Sequence, residues 1–257
     1  MLNTTLGNED EIINGLLLSD ATISKSSKSN SRLLFVQSIK NKDFVHTVKK
    51  YLKHLRIRIR INEYNVKRGN IKAIHLTTER SEYFTKLRKR WYSDRGKKII
   101  PNDLILTPKT IAYWYMGDGL SQWVKKKTKQ VRIELCTEGF MKRDVMKIKS
   151  LLKKIGFENL WLRKRPSGLR IAITKSNEVD KFFKMVEQYI IPSFGYKIKK
   201  PIVRSISEAM KEVSKNYKRD DKGRFIMRRG LETISSSNGV AVEPTQNCVQ
   251  NTEATFK

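Results

Sequence analysis

The chain has 257 residues and carries 54 Lys and Arg against 25 Asp and Glu, a formal net charge of +29. Such a field gathers polyanions and repels other basic surfaces, so nucleic acid leads the expected partners, although nucleotide bias and ordinary solvated faces also enrich lysine. At 39% hydrophobic and 9% aromatic, with no apolar run near the ~20 residues that span a bilayer, the composition argues against a disordered chain, a fibre and a helical membrane protein.

The first predicted element is an apolar helix over residues 13–21 that closes on Asp20 and Ala21. Residues 45–52 follow with helical i, i+3, i+7 apolar spacing. Arg56, Arg58, Arg60 and Asn62 then alternate with Ile57, Ile59 and Ile61, a strand with one basic and one apolar face. A strand at 74–77 and a helix at 82–87 lead to Ile99, Ile100 and Pro101. Thr107 as N-cap and Pro108 at the first helical position open another helix. Ile111, Ala112, Trp114 and Tyr115 make it apolar nearly all round, hence buried, and Gly119 after Asp118 reads as its C-terminal stop. A carboxylate at that end opposes the helix dipole unless a cation compensates. Alternating strands at 130–135, 160–165 and 170–174 and helices at 145–152 and 181–185 complete the pattern before Ile190, Ile191 and Pro192.

The second half therefore repeats the first at a nearly constant offset. Each half reads αββαββα, and the fold class is α+β with two pseudo-symmetric halves. Residues 9–100 form the first half and 101–204 the second. Residues 205–230 are a basic extension, which starts with a short capped helix and is either an arm on DNA or a loosely docked segment. Residues 231–257 hold Glu232, Glu243 and Glu253 against Lys257 alone and read as a disordered tail, so all the basic excess lies before them.

A fold that brings the two helix ends together sets Asp20 beside Asp118. Paired carboxylates bind Mg²⁺ and position water for phosphodiester hydrolysis. The polar strand faces supply candidate nucleic-acid contacts: Arg58, Arg60, Asn62, His75 and Thr77 in the first half, and Arg132, Glu134, Arg163, Arg165 and Arg170 in the second. Such faces also occur as plain solvated sheet, but four strands repeat the pattern. Cys136 and Cys248 make no disulfide framework or zinc site, which favours a reducing compartment. The N-terminus has no leader pattern, so the protein is expected where it is made: a mitochondrion or plastid if organelle-encoded, otherwise a prokaryotic cytoplasm.

The run Ala112-Tyr-Trp-Tyr-Met-Gly-Asp-Gly119, preceded by Lys97-Lys-Ile-Ile-Pro-Asn-Asp-Leu104 and by Leu106, Thr107 and Pro108, resembles the second motif of single-chain LAGLIDADG homing endonucleases. Gly15, Leu16 and Asp20 match the first motif, with Ala21 in place of its final Gly, and the likeness extends over roughly residues 9–200. The resemblance implies motif helices packed at a pseudo-two-fold axis, with Gly15, Ser19 and Ala112 allowing close approach, and saddle-shaped antiparallel sheets lying in successive major grooves of double-stranded DNA. It implies metal binding by Asp20 and Asp118, Lys98 and Lys197 as basic residues beside the metals, and Gln37 and Glu138 as the residues that order active-site water. Gly117 stands where one branch of the family has a second acid, and Glu138 where Gln is usual. The function implied is a monomeric, Mg²⁺-dependent intron-homing endonuclease. The alternatives are an intron RNA maturase using the same basic surface and a DNA-binding regulator on the same fold.

Overall fold

One run of elements is laid down twice. A computed structural model describes residues 8–25, 30–66, 72–125, 130–198, 217–219 and 225–227. The first half contains α1 (Asn8–Leu18), β1 (Thr22–Ile23), β2 (Leu33–Ser38), α2 (Lys42–Leu52), β3 (Ile59–Asn65), β4 (Lys72–Thr78) and α3 (Glu82–Trp91). The second contains α4 (Pro108–Asp118), β5 (Gly119–Lys125), β6 (Gln130–Cys136), α5 (Lys142–Lys154), β7 (Leu160–Arg165), β8 (Gly168–Ile173) and α6 (Ser176–Val186). Each half is thus αββαββα, with a four-stranded antiparallel sheet in the order β1-β2-β4-β3 or β5-β6-β8-β7.

Local chemistry sets the elements. Ser81 and Thr107 accept hydrogen bonds from Phe84 N and Thr110 N and so cap α3 and α4. Phe44, Val45, Val48 and Leu52 bury one face of α2, and Val145, Ile148 and Leu152 one face of α5, while α4 is buried from Thr110 to Met116. The core is continuous between the halves: Phe44 of α2 meets Tyr113 of α4 and Phe194 beyond α6, at ring-centroid distances of 5.6 and 5.1 Å.

One detail differs from the sequence reading. Helix α1 stops at Leu18, two residues before Asp20, because the Ser19 hydroxyl donates to Gly15 O and Leu16 O and draws the chain into a turn closed by Ala21 N to Leu16 O. Gly119 ends α4 as the sequence indicates; its φ of −96° is extended, and glycine is needed there for space, since a Cβ would fall 2.0 Å from Cδ2 of Tyr115.

Each half closes on a strap held by the other half. Asp144 of α5 accepts from Ile100 N, and Asp43 of α2 accepts from Ser193 N. The two Ile-Ile-Pro segments are thereby fixed with Lys98 and Lys197 close by. A separate unit beyond Pro201 contains an antiparallel ribbon, β9 (Tyr217–Arg219) with β10 (Phe225–Met227), which the sequence pattern did not signal. The short helix expected early in residues 205–230 and the tail at 231–257 lie outside the described residues.

Candidate active site

Helices α1 and α4 touch through missing side chains. A Cβ on Gly15 would lie 2.5 Å from the Thr110 carbonyl oxygen and 2.7 Å from Tyr113 Cβ. One to two turns on, a Cβ on Gly117 would lie 2.5 Å from Ser19 Oγ and 2.8 Å from Asp20 Oδ2. The Asp20 carboxylate therefore rests against the residue that precedes Asp118, and the helix ends bring the two acids to one place. Gly117, where a second acid was conceivable, is the contact surface for Ser19 and Asp20. Ala112 is fully buried in the same helix.

The compensating cations are present. Lys98 Nζ donates to Leu17 O and Ser19 O, at 2.8 and 3.2 Å, just past the end of α1. Lys197 Nζ donates to Tyr115 O, Met116 O, Gly117 O and Gly119 O, at 2.7–3.3 Å, around the end of α4. Each ammonium binds carbonyls at a helix end, some of which the helix leaves open, and offsets the negative end of its dipole. Burial pulls Lys98 down to about 8, against the opposing charges of Asp118 and then Asp20. Burial likewise raises Asp20, against its hydrogen bond from Gln37 and the charges of Lys197 and Lys98. Lys98 thus feels the carboxylate of the opposite half more than that of its own, and Asp20 feels the lysine of the opposite half more than that of its own. That cross-relation is how two helix ends meeting at an axis appear electrostatically.

Gln37 sits beside this centre, donating from Nε2 to Asp20 Oδ2 at 2.5 Å and accepting from Asn41 Nδ2 at 3.1 Å. The second half has no matching amide. Strand register makes Leu34 and Glu134 equivalent, since Leu34 pairs with Thr22, two residues past Asp20, and Glu134 with Leu120, two past Asp118. The counterpart of Gln37 is then Thr137, whose hydroxyl donates to Leu169 O at 2.5 Å. Glu138 is one residue further and its carboxylate binds Arg170.

The two sheet faces place the remaining residues. In the first half Arg58, Arg60 and Asn62 are exposed, while His75 and Thr77 are partly covered and bonded to each other at 3.0 Å. Burial, then Arg32, holds the His75 imidazole below its ordinary value, favouring the neutral form. Arg32, Arg58, Arg60 and Arg80 line an open concavity of about 190 Å³ on this half. In the second half Arg132, Arg163, Arg165 and Arg170 all converge on Glu134, which is fully buried and shows no surface to a partner. Trp161, in register with Arg60 and 64% exposed, stands on the same face. Its only sequence signal is its place in an alternating strand, two residues before Arg163.

Among the described residues no group of three His, Cys, Asp or Glu side chains gathers. A metal at the axis would therefore draw its protein ligands from the two carboxylates, with water and phosphate completing the shell. Hard carboxylate oxygens suit a hard divalent cation. No helix among the described residues is long and apolar enough to cross a membrane.

Comparison with known proteins agrees with this fold. A model described as the LAGLIDADG DNA endonuclease family matches residues 10–182. An uncharacterized protein of Methanocaldococcus jannaschii is 34% identical over 191 residues, 73% of this chain and 72% of the relative. A probable intron-encoded endonuclease of Wickerhamomyces canadensis is 31% identical over 202 residues, 76% of this chain and 86% of the relative. Among solved structures, the homing endonuclease I-WcaI bound to its DNA recognition sequence aligns with a TM-score of 0.63 at 27% identity, covering 74% of this chain and 85% of that one.

Proposed function

The chain belongs to the LAGLIDADG DNA endonuclease family, and from that premise we propose that it is a monomeric intron-homing endonuclease that cuts both strands of a long double-stranded DNA target with Mg²⁺. The observation that carries this reading is the meeting of Asp20 with the Gly117–Asp118 end of α4 between two lysines. A protein that only chaperones RNA or represses transcription has no use for two partly buried acids held together against their own repulsion. The DNA-bound relative and the intron-encoded relative point the same way.

Asp20 and Asp118 would hold the divalent metal, which supplies an activated water and charge stabilisation at the scissile phosphate. Gln37 fixes the orientation of the Asp20 carboxylate. Lys98 and Lys197, anchored on helix-end carbonyls, keep positive charge at fixed points where charge builds on phosphate oxygens, so it costs no reorganisation during reaction. The basic sheet faces supply phosphate contacts, and ~6–10 of them give an affinity that falls by ~10³–10⁵ between low and moderately high salt.

The test is cleavage of a plasmid carrying the intron-less allele of the gene's own insertion site, with Mg²⁺ or EDTA, by wild type and Asp118→Asn. Linear product that requires both Mg²⁺ and Asp118 is the expected result. No cleavage, with tight binding to the intron transcript, replaces this reading with the maturase.

A further inference from the structure

Cleavage makes no use of Glu134, yet it is the most heavily bonded side chain on the second sheet. Its carboxylate accepts hydrogen bonds from Arg163 Nη1 at 2.5 Å, Gln122 Nε2 at 3.0 Å, Arg165 Nη2 at 3.2 Å and Arg170 Nη1 at 3.4 Å, and forms an ion pair with Arg132, whose Nε lies 2.7 Å away. A carboxylate offers about four acceptor sites, so this one is saturated. Arg170 is held from its other side by Glu138. Without the central anion, four guanidiniums in one patch repel one another and spread into solvent. The same position in the first half is Leu34, and among the described residues no such array forms there.

The four arginines are not equivalent. Side chains of Arg132 and Arg170 are only 15% and 12% exposed, whereas Arg163 and Arg165 keep 33% and 34%. The first pair packs around the carboxylate. The second pair gives it one donor each, from a guanidinium with five, and keeps about a third of each side chain open to solvent, although Arg165 Nε is itself buried. Arg163 and Arg165 are alternate residues of β7 and share one face, which spaces their Cα atoms about 6.6–6.8 Å along the strand. That is the rise of two base steps at ~3.4 Å each.

We propose that Glu134 is a positioning residue that locks Arg163 and Arg165 into a preformed array reading two guanines, two base steps apart, in the half-site facing the second sheet. An arginine edge bonded bidentately to guanine O6 and N7 is the chemistry this geometry serves. Fixing both side chains before DNA arrives removes the ordering cost that free arginines meet on binding. Burial would raise the Glu134 carboxyl, but Arg165's hydrogen bond and the charges of Arg132, Arg163 and Arg165 outweigh it, so the anion persists at neutral pH. The inference rests on the endonuclease reading for its ligand, but the ordering of the arginines is measurable without DNA.

The experiment has two arms on the full chain. In the first, side-chain Nε–Hε NMR signals of arginine are recorded for free wild type and Glu134→Gln, with circular dichroism to show that both are folded. Wild type should give several sharp, slowly exchanging guanidinium signals that Glu134→Gln loses. In the second, wild type, Glu134→Gln and Arg163→Lys each select from a randomised double-stranded DNA library by binding in EDTA. Wild type should show two guanines at the stated spacing. Glu134→Gln should lose about 10-fold in preference at both and Arg163→Lys at one, with the other half-site unchanged.

Arginine signals that survive in Glu134→Gln overturn the positioning role. Signals that vanish while the selected sequence stays the same, or degrades evenly along the site, reduce Glu134 to a stabilising ion network and overturn the specificity role. If Glu134→Gln does not fold, Arg163→Lys decides: no loss at a single guanine rejects the array. A wild type that selects no sequence overturns the endonuclease reading itself, and with it the guanine assignment.

Discussion

The two sheets share one register and use it differently. Reading outward from the equivalent positions Leu34 and Glu134, the first half presents Thr77 and Arg60 where the second presents Ala172 and Trp161. His75 and Asn62 likewise match Arg170 and Arg163. In the first half Arg60, Asn62 and Tyr64 are exposed side chains. In the second, Arg163 and Arg165, at the positions of Asn62 and Tyr64, are tied to a common buried anion. Near the axis the frame is conservative in chemistry, with acid, lysine and tight helix contact repeated. On the faces the same frame carries an adaptable surface on one side and an organised one on the other. A duplicated fold can thus hold its chemistry constant while its two recognition surfaces diverge, because the strands fix where a side chain stands and its neighbours fix whether it is free to move.

If the axis is symmetric in function, Asp20→Asn and Asp118→Asn must fail alike. Each should lower plasmid linearisation by about 10³-fold or more, with DNA binding in EDTA nearly unchanged. A large loss from one and little from the other would break the equivalence where it is expected to be strongest. Next in size is the helix contact. Gly15→Ala drives a Cβ into the Thr110 carbonyl oxygen, which is backbone and cannot turn aside, and should cost about 2–3 kcal/mol. Gly117→Ala meets the Ser19 hydroxyl and the Asp20 carboxylate, which can yield. It should lower the melting temperature less than Gly15→Ala and the cleavage rate more, as seen by thermal denaturation beside the plasmid assay.

Those residues also mark what the sequence disclosed. The N-cap at Thr107, the all-apolar face of α4, the alternation at Arg58 and Arg60, and the matched Asp20 and Asp118 are local patterns, and local patterns place elements. Glu134 shows where that reading stops. In Gln130-Val-Arg-Ile-Glu it alternates like a solvated side chain, and only the pairing of β6 with β8 and β8 with β7 sets Arg170 and Arg163 around it. Cross-strand register is a property of distant segments, which no spacing within one segment encodes. Thr137 was hidden for the same reason: Glu138 is the more reactive side chain, yet counting from the strand pairs makes Thr137 the partner of Gln37. The lysines at 98 and 197 were legible through the family resemblance alone, since neither stands in a pattern that distinguishes it among so many lysines.

The Gln37 and Thr137 pair is the third way to sharpen the comparison. Gln37 holds Asp20, whereas the Thr137 hydroxyl is committed to Leu169 O. Gln37→Ala should slow cleavage by about 10- to 30-fold, and more on one strand, so that nicked circles accumulate before linear product. Thr137→Val should leave the ratio of nicked to linear product as in wild type and cost about 1 kcal/mol of stability from the lost hydrogen bond. Equal slowing of both strands by Gln37→Ala would mean that the amide serves the whole centre.

The smallest effect separates the two faces most cleanly. Arg60 and Trp161 occupy one register position in the two halves, one a cation and one an exposed indole. An arginine on a phosphate or base edge acts through charge, so Arg60→Ala should weaken binding and reduce the slope of log affinity against log salt by about one. An indole acts through apolar contact, for instance with a thymine methyl in the major groove, and releases no counterion. Trp161→Ala should therefore cost about 1 kcal/mol, roughly fivefold in affinity, at every salt concentration, with the slope unchanged. Because the side chain is exposed in the free protein, its removal should move the unfolding midpoint little. Fluorescence anisotropy of labelled duplex across a salt series reads both variants together. If Trp161→Ala changes the slope as Arg60→Ala does, it acts by disturbing the neighbouring arginines, and the second face is one connected array in which the indole is a member.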